Sequence, residues 1–118
     1  MVDEEIEEGR RFTLTEAADL LPTVKHLTAE AVQQTEGLTR RLQALPDADP
    51  GRDRLADAFR DVVDEWASSL GALGVEVKGL WLVDFDNGEG YYCWRYPEES
   101  IGHFHGYDDG FAGRMPIV

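Results

Sequence analysis

The spacing of apolar residues changes once along the chain, at Val75, and the change divides the sequence into two halves. Before it, apolar residues recur every three or four positions, as in helices with one buried face. After it, apolar and polar residues alternate, as in strands. This order predicts an α+β fold: a long antiparallel helical hairpin (13–73), then a small antiparallel β-meander with a glycine-rich C-terminal tail (75–118).

Local signals mark where the two helices begin and end. Thr13 and Glu16 have the spacing of a capping box, in which each side chain bonds the other residue's backbone N–H. A proline- and aspartate-rich turn follows the first helix, and Asp49 is predicted to cap the second helix with Pro50 in its first position. Gly74 is placed to end that helix in a left-handed conformation.

The second half carries signals for three strands. Continuous alternation predicts one strand over Val75–Phe85, and Asn87-Gly88 predicts a two-residue hairpin turn. Residues 91–96 form the returning strand, and residues 101–105 form a third, shorter strand. The remainder, 106–118, is predicted to pack as irregular chain across the sheet or onto a partner.

Charge limits the partners that the protein can have. The chain has 24 acidic and 11 basic residues, a net charge of −13. This balance argues against binding to nucleic acid or to an anionic membrane. The single cysteine excludes an internal disulfide, and the sequence has neither a signal-peptide pattern nor an apolar run of membrane-spanning length. A soluble cytoplasmic protein is expected.

The charge is unevenly distributed. Residues 12–45 carry a net charge of only −1, and charge is depleted where protein interfaces are dry. This stretch is therefore predicted to be the interface of a homodimer. The acidic segment 1–11 is predicted to be flexible, which leaves residues 12–118 as a single domain.

The C-terminal third contains a candidate set of metal ligands. Imidazole, thiolate and carboxylate groups suit zinc or iron. The candidate ligands are Asp84, Cys93, His103 and His105. Each also has a simpler interpretation, since a lone cysteine on an aromatic strand is usually a small buried apolar residue and histidines near turns are usually ordinary polar residues.

The register of the first hairpin decides which of these side chains meet. A two-residue turn at Asn87-Gly88 places Asp84 opposite Tyr91. Because residues two apart in a strand point to the same face, Asp84, Cys93 and Arg95 then share one face of the sheet.

The length of the next turn decides whether the two histidines join that face. A four-residue turn places both on the opposite face, with Trp94. A three-residue turn places His105 opposite Cys93 and His103 opposite Arg95, which assembles the cluster. The sequence leaves both alternatives open.

The order of these signals resembles a family of small bacterial proteins, domain of unknown function 2203. The resemblance rests on four segments: FTLTEAADLLP (12–22), GVEVKGL with LVDF (74–85), YCWR (92–95) and HGYDDGFAGRMP (105–116). It implies the fold given above and matches seven polar positions but implies no reaction. The matched positions are Lys78, Asp84, Cys93, Arg95, Glu98 or Glu99, His105 and Arg114. Phe104 stands where the family tends to have tryptophan, which removes an N–H donor.

Three hypotheses about function follow. The first is a homodimer whose meander and tail bind a transition metal or a small anionic ligand, with Arg114, Arg95 and Lys78 as the anion-binding residues. The second is a structural or adaptor module that uses its acidic surface to bind a basic protein partner and carries out no chemistry. The third is a small metal-dependent enzyme, which needs an open coordination position beside a substrate pocket.

Overall fold

The computed structural model describes residues 10–117, so most of the segment predicted to be flexible, 1–11, lies outside the described residues. Two helices come first, α1 (Leu14–Gln43) and α2 (Gly51–Ala72). Five strands and one 3-10 turn follow. They are β1 (Glu76–Gly79), β2 (Leu82–Asp86), β3 (Tyr91–Arg95), β4 (His103–His105), the 3-10 turn (Phe111–Gly113) and β5 (Met115–Pro116). The predicted α+β order, with a helical hairpin before a meander, is confirmed.

The predicted helix signals are confirmed, with a one-residue shift at the start of α2. The Thr13 hydroxyl accepts from the Glu16 N–H at 3.1 Å, and the Glu16 carboxylate accepts from the Thr13 N–H at 2.8 Å. Pro50 precedes α2 instead of occupying its first turn, while the Asp49 carboxylate accepts from the Gly51 N–H at 2.7 Å. Gly74 has φ of 85°, the left-handed conformation predicted for it.

A buried hydrogen bond joins the two helices. The Trp66 indole N–H donates to the Thr28 hydroxyl oxygen at 2.9 Å, and that hydroxyl donates to the Val24 carbonyl at 2.7 Å. Thr28 is fully buried and Trp66 nearly so. Both polar groups therefore have partners inside an otherwise apolar contact, which fixes how the helices pack.

The segment Val75–Phe85 does not form the single strand that its alternation predicts. The chain reverses at Leu80 and Trp81, and β1 pairs with β2. Trp81 takes a left-handed conformation (φ 60°), and its ring lies against Trp66 with centroids 4.8 Å apart. The prediction was wrong because the alternation of apolar residues continues past Gly79, while the turn after this glycine depends on the tertiary contact between Trp81 and Trp66.

The sheet is antiparallel throughout in the order β1-β2-β3-β4-β5, and its two faces differ in what covers them. One face carries the fully buried residues Val83, Phe85 and Trp94, which belong to the same core cluster as Leu21 of α1 and Leu70 of α2. The other face carries polar residues and lies under the segment 106–114. This second face holds the candidate site.

The segment predicted as an irregular tail is more ordered than expected. It contains the 3-10 turn, and β5 adds a fifth strand by pairing with β4. Within the described residues, neither helix combines the length and apolarity needed to cross a membrane. The homodimer and the cytoplasmic location stay predictions.

Candidate metal centre

The first hairpin brings Asp84 of β2 directly opposite Cys93 of β3. The predicted partner of Asp84, Tyr91, instead pairs with Asp86. The register differs because the two-residue turn lies one position later than predicted, at Gly88 and Glu89. The Asn87 N–H donates to the Gly90 carbonyl at 2.9 Å and so closes that turn. Because the strand pairing shifts by two positions, each side chain stays on its predicted face of the sheet. Asp84 and Cys93 therefore share a face as predicted.

The second hairpin places both histidines on the Cys93 face, which is the outcome predicted for an odd-length turn. The pairing differs in detail, because His103 lies opposite Cys93 and His105 lies opposite Tyr91. The connection is longer than either alternative considered, since β3 ends at Arg95 and β4 begins at His103.

Glu98 holds the connection between β3 and β4 in place. Its N–H donates to the Arg95 carbonyl at 2.8 Å, its carbonyl accepts from the Trp94 indole, and its carboxylate accepts from the Arg95 N–H. These bonds fix the length of the loop and with it the register of β4.

Asp84, Cys93 and His105 form a buried group. One ligand atom from each, a carboxylate oxygen, the thiol sulfur and an imidazole nitrogen, lies within 4.8 Å of the other two. All three residues are 3% exposed or less. His105 Nε2 lies 3.0 Å from Asp84 Oδ2, and His105 Nδ1 lies 2.8 Å from the Gly106 carbonyl oxygen. The Gly106 carbonyl can only accept, so Nδ1 carries a proton. The Nε2–Oδ2 hydrogen bond then needs a second proton, held either by the imidazole or by the Asp84 carboxyl group.

One oxygen of the group has no partner. Asp84 Oδ1 is buried and makes no hydrogen bond to any described residue. A buried carboxylate oxygen without a partner is costly, so it indicates a missing ligand or strain. Burial raises the pKa of Asp84, and the attraction and hydrogen bond of His105 only partly oppose this.

The Cys93 thiol is protonated at neutral pH. Burial and the nearby Asp84 carboxylate raise its pKa to about 11, although Arg114 acts in the opposite direction. The Arg114 guanidinium lies 3.9 Å from the sulfur. A thiol in this state is a poor nucleophile, because thiolate is the reactive form. As a metal ligand it must lose its proton when the ion binds.

His103 lies outside this group of three. Its Nδ1 atom is buried and has no hydrogen-bond partner among the described residues. Its strand position opposite Cys93 leaves it next to the site, but its ring nitrogens are not within the distance that joins the other three ligands.

The candidate anion-binding arginines have other partners. Both amino groups of Arg114 donate to the two carboxylate oxygens of Glu98, and this ion pair fixes the tail to the β3–β4 loop. Arg95 is exposed. Both guanidinium groups face the Phe111 ring, at 4.4 Å from its centroid for Arg114 and 5.5 Å for Arg95.

Lys78 lines a cavity of about 320 Å³ that opens next to the three buried groups. Leu82, Tyr91, Tyr107 and Phe111 also line it. The Lys78 ammonium lies 3.1 Å from a Glu76 carboxylate oxygen and 4.5 Å from the centre of the Tyr91 ring. Burial lowers the pKa of Lys78, but its hydrogen bonds with Glu76 and Tyr91 outweigh burial and raise it, so the group is charged.

Two parts of the site carry no sequence signal that could have identified them. The Gly106 carbonyl orients His105, but a backbone acceptor is independent of residue type. Tyr107 closes one side of the cavity through a 2.7 Å bond from its hydroxyl to Asp86, and a tyrosine between a glycine and an aspartate reads as an exposed loop residue.

Chemically, the group offers one nitrogen, one sulfur and one oxygen ligand on three adjacent strands. Borderline transition-metal ions accept such a mixed set. The Nδ1–H bond of His105 to a backbone carbonyl is the arrangement that commonly orients histidine ligands. The Asp84, Cys93 and His105 side chains could therefore hold a metal ion.

Comparison with known proteins identifies the family and no function. A family model described as an uncharacterized conserved protein (DUF2203) matches residues 10–117. No curated protein and no solved structure matches the chain. The match covers both helices and all five strands, including the three candidate ligands. The chain therefore belongs to the DUF2203 family of uncharacterised conserved proteins.

Proposed function

We propose that this protein binds one transition-metal ion, zinc in preference to iron, through Asp84, Cys93 and His105. The observation that carries the proposal is the buried Asp84 Oδ1 atom without a partner beside a buried thiol and an oriented imidazole. A metal ion would give Oδ1 the partner it lacks.

The distances support a tetrahedral ion. Zinc bonds of about 2.0–2.3 Å place ligand atoms about 3.3–3.8 Å apart. The three candidate atoms already lie within 4.8 Å of one another. Movements of about 1 Å or less would therefore complete the arrangement.

Charge also supports a divalent ion. With the thiol deprotonated, the ligands carry two negative charges and a neutral imidazole, which a divalent ion balances. The Arg114–Glu98 ion pair next to the sulfur is itself neutral.

The fourth coordination position would face the cavity of about 320 Å³. A small anionic ligand there would contact the metal and the Lys78 ammonium. This open position is also what a metal-dependent enzyme needs, whereas a purely structural zinc site is closed by a fourth protein ligand.

Metal analysis of untagged protein tests the proposal. Wild-type protein reconstituted with zinc and then desalted is expected to retain one ion per chain. His105→Gln is expected to lose it, whereas His103→Ala and His26→Ala retain it, because His103 lies outside the group and His26 is an exposed residue of α1. Circular dichroism establishes that each variant is folded.

Two results would contradict the proposal. Zinc well below one ion per chain in the wild type would exclude the site and leave the adaptor hypothesis. Full retention by folded His105→Gln would exclude the ligand set. For the anion, Co²⁺-loaded protein titrated with azide reports binding at the metal through its visible spectrum. Lys78→Gln should weaken azide binding relative to Lys25→Gln, a change in the chain's other lysine.

A further inference from the structure

The distal half of the helical hairpin, residues 36–62, has no fully buried residue. The buried positions of α1 end at Thr35, and those of α2 begin at Trp66. Beyond these points the two helices pack on each other, and Val62 borders the main core. Six large apolar side chains there are half-buried: Leu38, Leu42, Leu45, Leu55, Phe59 and Val62. A pair of helices buries only one stripe of each, so this half lacks the cover that the sheet gives to the other half.

The shape of the molecule agrees with a projecting hairpin. The radius of gyration is 16.4 Å, whereas a compact domain of this length has a value of about 13–14 Å. Grooves run along both sides of the distal half. One has a volume of about 590 Å³ and is lined by Leu38, Leu45 and Leu55 with Arg41 and Arg54 at its rim. The other has a volume of about 200 Å³ and is lined by Leu42 and Phe59 among others.

The charge of this half differs from that of the rest of the chain. Residues 36–62 contain six acidic residues and five arginines, a net charge of −1, whereas the whole chain carries −13. Five of the eleven basic residues therefore lie in 27 positions. A basic partner would be attracted to the acidic remainder of the protein and not to this half. A second copy of the chain is itself acidic, so it meets the least repulsion where it contacts this nearly neutral half.

We propose that two copies of this chain associate through their distal hairpin halves and form a four-helix bundle. A two-fold contact needs a surface that is complementary to itself, and this one carries both signs of charge around an apolar centre. The contact differs from the interface predicted from charge alone, residues 12–45, whose first half packs in the core.

Sedimentation velocity over concentrations of about 1–100 μM tests the proposal. The wild type is expected to sediment as a dimer of the 13.2 kDa chain. Leu55 lines both grooves, so Leu55→Glu is expected to raise the dissociation constant by about 100-fold or more and to give a monomer. Ala18→Glu introduces the same charge at an exposed position of the proximal half and is expected to remain a dimer.

Hydrogen exchange keeps the test decisive if Leu55→Glu fails to fold. In the wild type, amides of residues 36–62 are expected to exchange more slowly at 100 μM than at 1 μM, since burial at an interface protects them. A wild type that is monomeric throughout this range would overturn the proposal. So would a folded Leu55→Glu protein with wild-type self-association, or concentration-dependent protection located elsewhere.

Discussion

His105 and Asp84 are joined by a 3.0 Å hydrogen bond although their strands are not neighbours, because β3 lies between β4 and β2. The bond crosses two inter-strand spacings, about 9.6 Å between backbones. Its position places the imidazole over β3, next to the Cys93 sulfur. One side-chain contact therefore both links β2 to β4 and brings the candidate ligands together.

Asp84→Asn is expected to stabilise the metal-free protein at neutral pH by about 1 kcal/mol and to abolish zinc binding. The folded-state pKa of Asp84 is raised, mainly by burial, so its ionised form destabilises the native state. This cost is absent below the ordinary pKa of 3.8, grows as the pH rises above that value, and is complete above the raised folded-state pKa. The advantage of the variant should therefore be present at pH 7 and vanish near pH 4.

Urea unfolding of metal-free protein at a series of pH values measures this advantage. Asp108→Asn, at an exposed position of the tail, is the matched control and should show no such pH-dependent gain. A metal-free Asp84→Asn protein that is less stable than the wild type at pH 7 would contradict this expectation. It would show that the Asp84 carboxylate stabilises the folded protein instead of being retained as a metal ligand.

Zinc binding is expected to release at least one proton per ion. The pKa of Cys93 is raised to about 11, so the thiol is protonated before the ion binds and must become thiolate. The apparent affinity should rise about tenfold per pH unit between pH 6 and pH 9. Calorimetry in two buffers of different ionisation enthalpy counts the protons. An affinity that does not change over this range would contradict thiolate ligation.

Glu98→Gln is expected to destabilise the protein at pH 7 by about 1 kcal/mol or less. Burial raises the pKa of Glu98, but hydrogen bonds from Arg114 and from the Arg95 backbone outweigh burial and lower it. The stability that this carboxylate contributes is complete above its ordinary pKa of 4.5 and is lost as the pH falls through the lower folded-state value.

Thermal unfolding at pH 7 and at pH 3 checks this expectation. The difference between wild type and Glu98→Gln should be largest at pH 7 and smaller at pH 3, which lies below the ordinary pKa of 4.5. Glu99→Gln provides the control, since the Glu99 side chain is 98% exposed. A difference that is equally large at pH 3 would mean that the ion pair with Arg114 is not its source.

Thr28→Val is expected to cost about 1–3 kcal/mol, because it leaves the buried Trp66 N–H without an acceptor while keeping the side-chain shape. Chemical denaturation followed by tryptophan fluorescence measures the loss. Thr28→Ser should restore most of it, and Thr23→Val, at an exposed position of α1, should cost little. A loss below about 0.5 kcal/mol would show that the bond contributes little to helix packing.

The helices could be predicted because their signals are local. The Thr13 capping box and the Gly74 terminator act within a few residues of themselves, so their effect does not depend on the rest of the fold. The reversal at Trp81 could not be predicted in this way. It depends on the Trp66 ring, which lies fifteen residues earlier in α2 and supports a conformation that most residues avoid.

The candidate site also combines features that local sequence signals predict with features that depend on distant contacts. The face shared by Asp84 and Cys93 depends only on odd or even spacing, which the sequence displays. The face of His105 also depends on whether the β3–β4 loop is odd or even in length, which the sequence left open. The register depends on where each turn closes. Glu98 fixes the second turn, because its carbonyl accepts from the Trp94 indole N–H and its carboxylate accepts from the Arg95 N–H. Residue types alone do not reveal these bonds. Sequence spacing thus identified the face shared by Asp84 and Cys93, but neither the facing pairs nor the face of the histidines.

The ion pair between Arg114 and Glu98 has a consequence for kinetics. It closes the segment 106–114 over the ligand group, while the helical core lies on the other side of the sheet. An ion can then enter or leave through local release of this segment without unfolding of the domain. We expect the rate of metal exchange, as distinct from the affinity, to depend on how often the Arg114–Glu98 ion pair breaks and releases segment 106–114.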